Sequence, residues 1–377
     1  MSDWFLPRLG GIEVHLRDLA RHLARRGITA EVVTPLPGPG EWEGIAVHRL
    51  PVRRVPALGI AYPPPLLRRM REVLDAGGYD VVHAHASIGS PAAWTGAYLG
   101  TRSGIPVVLT YHSILSRYRL LLRGADPFLG WRRWRAIHSG VSEVVARDLR
   151  RLLPGHPVEI LPNGVDPDEW IVRPRVPGAD GFRMVSVLRL TRKKRPAVLL
   201  RILRDVLAYP GVGGNVHLTV VGDGPLGPSL KRLAHRLGVS GHVTFTGALD
   251  RPGVARALDQ AHLFVMPSIM ESFGIAALEA RMSGLPVVGR SEGGMDSFVR
   301  HGVDGFLVDD DAEMSAAVAR LVTGGRAMEE LVAGASDVPS HLRWSRVAEA
   351  HEDLYRRAME RFGRGVSSLR GSGEPLA

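Results

Sequence analysis

The sequence predicts an α/β protein made of two domains, each built around a parallel β-sheet. Its 377 residues exceed the size at which a single hydrophobic core usually stops growing. In both halves, short apolar runs of strand length alternate with segments of helical periodicity, a pattern typical of parallel sheets with helices on both faces. The absence of cysteine excludes disulfides, thiolate metal sites and a cysteine nucleophile, and it fits a cytoplasmic protein.

The first domain is expected to span residues 1–166. Its candidate strands are residues 30–34, 46–50, 81–84, 107–111 and 138–141, and residues 66–76 and 92–101 between them have helical periodicity. A domain of this type normally opens with a strand of about five residues, whereas Met1 to Pro7 has the character of the end of a strand. We therefore expect that the first strand is truncated and that the natural start lies upstream of Met1.

The second domain is expected to cover residues 167–343. Its candidate strands are residues 184–187, 218–221, 243–246, 263–266 and 287–289, again with helices between them. Ligands of such sheets bind outside the carboxyl ends of the strands. Residues 344–362 have the pattern of a terminal helix, and the Gly- and Ser-rich tail 363–377 is expected to be disordered.

Residues 262–289 (HLFVMPSIMESFGIAALEARMSGLPVVG) carry the clearest functional signal. An apolar strand leads into a loop with Glu271, and apolar residues at helical spacing follow. The first amides of this helix, those of Phe273, Gly274 and Ile275, lack intrahelical partners, and the helix dipole places partial positive charge there. The helix start therefore predicts a binding site for a diphosphate.

Glu271 and Glu279 stand eight residues apart, which first suggests the two carboxylates of a glycosidase. Eight residues of helix span about 12 Å at 1.5 Å per residue, whereas glycosidase carboxylates lie about 5–9.5 Å apart. The two glutamates are better interpreted as contacts to different parts of one long ligand. The alternative is a pair of solvated glutamates on a helix face.

The segment from Glu271 to Glu279 resembles the E-x7-E motif of the retaining GT-B glycosyltransferases of family 4. Six further segments resemble motifs of that family and occur in the same order: the glycine loop at Gly10 and Gly11, His112 at a strand end, the interdomain loop 160–170, the Arg-x4-Lys motif of Arg189 and Lys194, the segment around Gly222, and the segment 244–254. Each is weak alone, but together they cover nearly the whole chain. The resemblance implies the GT-B fold, two Rossmann-like domains that face a cleft. It also implies that the terminal helix 344–362 packs back on the first domain.

The resemblance also implies roles for these residues. Glu271 contacts the transferred sugar and Glu279 the nucleotide ribose. His112 orients or polarises sugar hydroxyls beside the reacting carbon. The remaining residues bind the donor, mostly through its phosphates: Gly10, Gly11, Arg189, Lys194, Gly222, Phe273, Gly274 and Ile275.

The function implied is that of a retaining, metal-independent hexosyltransferase. It uses a nucleotide-diphosphate sugar as its substrate, needs no cofactor, and transfers to an acceptor hydroxyl by a front-face mechanism in which the leaving phosphate helps to deprotonate the acceptor. Two other functions share the same donor site: epimerisation of a nucleotide sugar, and nucleotide-sugar binding without catalysis.

Position 195 departs from the family pattern. The family usually has glycine after the lysine of the Arg-x4-Lys motif, and this chain has Arg195. We expect a different local arrangement of cations at this position.

Positive charge is concentrated in the first domain. Residues 1–160 contain 21 basic and 13 acidic residues, a net charge of +8, of the +10 carried by the whole chain. Within this half, residues 117–123 and 131–135 interleave arginines with large apolar side chains, as on surfaces that dock on anionic lipid headgroups. A lipid or glycan acceptor at the inner face of a membrane is one interpretation. A solvated basic face with inward-packed tryptophans is the other. No nucleic-acid reading module is recognised.

No metal site is expected from the sequence. Asp166 and Asp168 have the spacing of a metal-binding DxD motif, but they fall in a predicted turn. His83 and His85 share one strand, and we expect their side chains to point to opposite faces, which is poor geometry for one zinc ion. The GxGxxG pattern that begins at Gly222 contains prolines and lacks the acidic residue of a dinucleotide site.

Overall fold

The computed structural model describes residues 1–362 except 9, 53, 56–59, 62, 88, 171–176, 178–180, 213, 336 and 338. The chain divides into two compact units: Met1–Gly164 together with His341–Ala377, and Val165–Ser340. The tail 363–377 lies outside the described residues. Within the described ranges, no helix combines the length and apolar character needed to cross a bilayer.

The regular elements alternate along both units. The strands are β1 (Val32–Thr34), β2 (Glu41–Trp42), β3 (Ile45–Arg49), β4 (Arg54–Val55), β5 (Ile60–Ala61), β6 (Val82–Ala86), β7 (Val107–Tyr111), β8 (Ala136–Gly140), β9 (Val158–Ile160), β10 (Phe182–Val187), β11 (Val216–Val221), β12 (Val243–Gly247), β13 (Leu263–Met266), β14 (Val287–Arg290) and β15 (Gly305–Val308). The α-helices are α1 (Gly11–Ala24), α2 (Pro63–Gly77), α3 (Pro91–Arg102), α4 (Arg119–Leu129), α5 (Glu143–Leu152), α6 (Pro196–Leu207), α7 (Gly227–Arg236), α8 (Arg251–Asp259), α9 (Ile275–Met282), α10 (Asp311–Thr323), α11 (Gly325–Ala335) and α12 (Trp344–Arg361). The predicted α/β class with parallel sheets is confirmed, and all ten predicted strands are present with ends shifted by at most a few residues.

The first unit contains a four-stranded parallel sheet in the order β6-β7-β8-β9. Strand β3 pairs in parallel with β1 and antiparallel with β2. The first residues lie between β1 and β6, because the amide of Ser2 donates to the carbonyl of Val33 and the amide of His85 to that of Met1. A cavity of about 330 Å³ lies beside them, between α1, β1 and β6.

Helix α12 belongs to the first unit although it follows the second in sequence. Its apolar face, including Trp344 and Leu354, packs with Leu19 and Leu23 of α1 in one buried cluster. The ring of Trp344 also stacks on that of His22, with centroids 5.2 Å apart. Burial of this apolar stripe accounts for the amphipathic pattern of α12.

The second unit contains a six-stranded parallel sheet in the order β12-β11-β10-β13-β14-β15. Strands β10 and β13 are neighbours at the centre, with Met184 opposite Leu263. The connections from β10 run toward one edge of the sheet and those from β13 toward the other, so the topology reverses between these two strands. Such a switch point leaves a crevice at the carboxyl ends of the strands, where α/β sheets bind ligands.

Candidate functional site

The loops that follow β10 and β13 meet at the switch point of the second unit. Lys194, in a 3-10 turn after β10, places its Nζ 2.5 Å from Oε2 of Glu271, in the loop after β13. The side chains of Lys194 and Glu271 are 28% and 11% exposed. A cation and a carboxylate from two of the sequence motifs are therefore in direct contact.

Arg189 lies two residues beyond the end of β10 and is exposed. Its backbone is held by the neighbouring glycine loop: the amide of Leu188 donates to Val221 and that of Leu190 to Asp223. Gly222 makes this approach possible, because a Cβ at that position would lie 2.0 Å from the carbonyl oxygen of Leu188. Gly222 therefore positions the arginine segment, in addition to any contact with a donor.

Helix α9 begins at Ile275, with Gly274 as its N-cap in the left-handed region at φ 95°. The amides without an intrahelical partner are therefore those of 275–277, because the first helical bond runs from Leu278 to Gly274. The predicted helix start was about two residues early: Phe273 precedes the helix, and its ring is buried 5.4 Å from that of Phe298. Glu279 lies on α9 and is half-buried, whereas Glu271 lies in the loop before it.

A glycine pair that the sequence analysis missed holds the backbone of Glu271. The amide of Gly294 donates to the carbonyl of Glu271 at 2.8 Å, and a Cβ on Gly293 would lie 3.0 Å from that same oxygen. The signal was available, since a Gly-Gly pair shortly after a predicted strand is typical of a close backbone approach.

Arg195 has the backbone conformation that glycine favours, with φ 56° and ψ 41°. Its guanidinium forms a bidentate pair with Asp311 at 2.9 and 2.6 Å and donates to the carbonyl of Pro267 at 3.1 Å. Arg290 donates to the same carboxylate at 3.4 Å. The expected change in cation geometry is thus a structural one, in which Arg195 ties the β10 loop to the start of α10.

We expect Arg195→Ala to be less stable than Arg195→Gly by about 1 kcal/mol. Both variants lose the pair with Asp311, but only alanine keeps a Cβ in the left-handed region, which costs non-glycine residues about 1–2 kcal/mol. Urea unfolding of the two variants checks this difference directly. Equal midpoints would mean that the backbone at position 195 relaxes out of this conformation when the guanidinium is removed.

The site residues of the first unit lie at the ends of α1 and β7. Gly10 is the N-cap of α1 with an extended backbone at φ −179°, and Gly11 is its first residue. His112 follows β7, and its amide donates to Ala86 at 2.8 Å. The predicted positions of the glycine loop at a helix start and of the histidine at a strand end agree with these elements.

His112 is 8% exposed and is surrounded by other imidazoles. Burial, reinforced by His351, lowers the pKa of His112 to about 3. Nε2 of His112 shares a hydrogen bond of 3.0 Å with Nδ1 of His85. At neutral pH the ring is therefore uncharged and can act as a hydrogen-bond partner, but not as a source of positive charge.

The expectation that His83 and His85 point to opposite faces is wrong. Their ring centroids lie 3.9 Å apart, because residues two apart on a strand share a face. His83 uses both ring nitrogens, with Tyr355 and with Thr110, each at 2.7 Å. Among the described residues, the one group of three or more potential metal ligands is His15, His85 and His112, and Asp166 and Asp168 are not part of such a group.

The basic segment has a different surface from the one expected for membrane docking. Trp131 is 1% exposed and donates from Nε1 to Leu122, and half-buried Trp134 packs against Trp94 with centroids 5.9 Å apart. The tryptophans thus pack inward, which corrects the expectation that they lie at a lipid interface. Leu120 on α4 is instead 79% exposed.

Two family models together match most of the chain. Residues 9–169 match the model described as Glycosyltransferase Family 4, and residues 172–336 match the one described as Glycosyl transferases group 1. The two matches meet close to the boundary between the two structural units.

Relatives and solved structures agree with these matches. The chain is 30% identical to a D-inositol 3-phosphate glycosyltransferase of Thermobispora bispora, over 95% of this chain and 92% of that protein. It is 27% identical to an uncharacterized glycosyltransferase of Methanocaldococcus jannaschii, over 97% and 99% of the two chains. Its fold resembles those of a sucrose-phosphate synthase from Thermosynechococcus elongatus (TM-score 0.76, 20% identity, 93% and 94% covered) and of Anabaena HepE in complex with UDP and glucose (TM-score 0.74, 22% identity, 93% and 97% covered).

Proposed function

This chain belongs to the GT-B glycosyltransferases of family 4, and we propose that it transfers a hexose-type sugar with retention of configuration from a nucleotide-diphosphate sugar to an acceptor hydroxyl. The observation that carries the proposal is the contact between Lys194 and Glu271 beside the free amides of α9. Cation, carboxylate and helix start lie together at the switch point of a Rossmann-like sheet, where such folds bind nucleotides.

The positive groups of the site bind the leaving diphosphate. Arg189, Lys194 and the amides of 275–277 supply charge and donors where negative charge develops during sugar transfer. The ammonium of Lys194 has three donors, so it can contact Glu271 and a phosphate oxygen at the same time. Lys194 thereby links the sugar-binding carboxylate to the leaving group.

The two carboxylates and the neutral histidine bind the other parts of the donor, its sugar and its ribose. Glu271 accepts hydrogen bonds from sugar hydroxyls, and its fixed backbone limits where the sugar can lie. Glu279, four residues beyond the start of α9, contacts the ribose. Neutral His112 orients a sugar hydroxyl by hydrogen bonding. The family resemblance implies a front-face mechanism, in which the leaving phosphate assists deprotonation of the acceptor.

The donor we favour is a UDP-hexose. Support comes from the HepE structures, which are complexes with UDP and glucose and with UDP-glucose and whose fold this chain shares. The acceptor class is open between a small phosphorylated polyol, suggested by the names of relatives about 30% identical, and a lipid or glycan.

The experiment that tests the function has two steps. A thermal-shift screen of UDP-, GDP- and ADP-sugars identifies the donor, and the product formed with D-inositol 3-phosphate or a lipid acceptor is then analysed by NMR. An α-linked product from an α-linked donor supports retention, and inversion contradicts it. Conversion of the donor sugar without acceptor supports an epimerase instead, and donor binding without any product supports a non-catalytic binding protein.

Transfer should continue in the presence of EDTA. Because cations and helix amides already face the diphosphate, no Mg²⁺ or Mn²⁺ is needed to neutralise it. EDTA should not lower the rate by more than about twofold, which is much less than the loss caused by removing one charge-stabilising contact. Loss of activity with recovery on Mn²⁺ would instead favour a metal role for Asp166 and Asp168.

We further propose that α4 brings the first unit to anionic lipid, where a lipid acceptor would be found. Exposed Leu120 is flanked on the same helix by exposed Arg119 and Arg123. An apolar side chain among arginines can enter the headgroup region while the cations contact phosphates. Because Trp131 is buried, the membrane proposal rests on Leu120 and these two arginines.

The protein should sediment with vesicles that contain anionic lipid and not with neutral vesicles. Each basic residue near such a surface contributes about 1 kcal/mol, so Arg119→Ala with Arg123→Ala should weaken binding about 30-fold. Arg236→Ala, on α7 of the other unit, is the matched control and should bind normally. Absence of vesicle binding at low salt would leave the soluble acceptor as the better proposal.

A further inference from the structure

Three histidines of the first unit form a compact buried cluster. His15 comes from α1, His85 from β6 and His112 from the residue after β7. They are 2%, 3% and 8% exposed. Each offers a ring nitrogen, and these three nitrogens all lie within 4.8 Å of one another.

The distances between the ring nitrogens can be compared with those in an occupied zinc site. Ligand nitrogens 2.0–2.1 Å from a tetrahedral zinc ion lie about 3.3 Å from each other. Nδ1 of His85 and Nε2 of His112 are already 3.0 Å apart. The ring nitrogen of His15 lies within 4.8 Å of both, so binding one ion would require it to move closer to them.

His15 supplies an independent observation that points to a missing ligand. Both of its ring nitrogens are buried, and neither has a hydrogen-bond partner in the part of the chain that the structure describes. An unsatisfied buried polar group is unfavourable, and a bound ion or water is one explanation for it in a native structure. The ring centroid lies 5.4 Å from that of Trp344 and 5.3 Å from that of His112.

The neighbouring histidines have partners for at least one ring nitrogen. His83 is satisfied at both, and Nδ1 of His351 donates to Val347 at 2.7 Å, whereas Nε2 of His351 has no partner among the described residues. Desolvation lowers the pKa of His15, His85 and His112, which keeps all three imidazoles in the neutral, metal-binding form at pH 7.

We propose that His15, His85 and His112 bind one divalent transition-metal ion, with Zn²⁺ as the preferred ion. Imidazole suits zinc, copper and nickel, and three neutral ligands leave a fourth tetrahedral position open. The inference rests on the proposed function in one respect: His112 is the residue that we assign to the donor sugar. An ion on its Nε2 would compete with that role, so this is an inhibitory site and not a catalytic one.

The test measures metal binding without any activity. Metal-free protein is titrated with Co²⁺, whose visible spectrum reports tetrahedral coordination, and with Zn²⁺ by calorimetry. We expect one tight equivalent, and X-ray absorption of the zinc form should show imidazole nitrogens at 2.0–2.1 Å. His15→Phe should keep the packing of a buried ring, remove the ligand and weaken Zn²⁺ binding by more than the 10–100-fold that an outer-shell partner is worth.

His138→Phe is the matched control. His138 is also fully buried in the first unit and also lacks partners at both nitrogens among the described residues, but it lies outside the cluster. This variant should bind Zn²⁺ normally. Equal affinity of His15→Phe and His138→Phe, or absorption data with fewer than three imidazoles, would overturn the proposal. Transferase activity in metal-free buffer is tested separately, so failure of the metal site leaves the proposed function intact.

Discussion

Arg189→Ala and Lys194→Ala should each slow sugar transfer by about 10²–10³-fold, the effect of losing one strong group that stabilises developing charge. Arg189 is exposed at the end of β10, and Lys194 contacts Glu271 at 2.5 Å. Steady-state kcat and donor KM give the measurement. The loss should appear mainly in kcat, because the diphosphate gains charge in the transition state.

Arg192→Ala provides the matched control, since Arg192 is an exposed cation on the same 3-10 turn. It should leave kcat within about twofold of wild type. This change is much smaller than the one expected when a group that stabilises the diphosphate is lost. Unchanged turnover in both Arg189→Ala and Lys194→Ala would remove the phosphate site from the proposal.

The contact between Lys194 and Glu271 also predicts that their substitutions are not additive. The double variant with Lys194→Ala and Glu271→Ala should lose less activity than the product of the two single losses, because each single change already breaks the shared contact. A coupling below about 0.5 kcal/mol would mean that the two residues act independently.

Acidification from pH 7.5 to pH 5 should lower the free energy of unfolding of the first unit by several kcal/mol. Burial lowers the pKa of His112 and His138 to about 3 and that of His351 to about 4, from an ordinary value of 6.5. The unfolded chain therefore binds more protons below pH 6.5, so stability is complete above that pH and is lost as the pH falls. At pH 5, each histidine accounts for about 2 kcal/mol.

Together the three histidines account for several kcal/mol, a large fraction of the stability of many domains. Asp3 opposes them by about 1 kcal/mol, since burial raises its pKa to about 6 and its folded form takes up a proton first. Urea unfolding followed by tryptophan fluorescence isolates the first unit, because six of the seven tryptophans belong to it.

His138→Phe should reduce this acid sensitivity by about 2 kcal/mol, since it removes one of the buried histidines whose pKa is lowered. Equal urea midpoints at pH 7.5 and pH 5 would mean that these histidines are solvated or already protonated in the folded protein. That result would also weaken the metal proposal, which depends on the same buried environment.

The sequence by itself determined the alternation of strands and helices and the class of fold. Strand β13, the loop with Glu271 and the helix after it could be located because apolar periodicity is a property of one element and its immediate neighbours. For the same reason, Arg189 and Lys194 were correctly placed after a strand. The family resemblance rests on those local segments, and the family matches support it.

The tertiary structure alone decided which of these elements meet. Lys194 and Glu271 are 77 residues apart in sequence, and Arg195 and Asp311 are 116 apart, so their contacts depend on the order of strands in the sheet. His15 joins two other histidines only because the fold brings α1 close to His85 on β6 and to His112 after β7. A local pattern encodes burial and periodicity within one element, but the contacts between elements arise from how several hydrophobic faces are buried together.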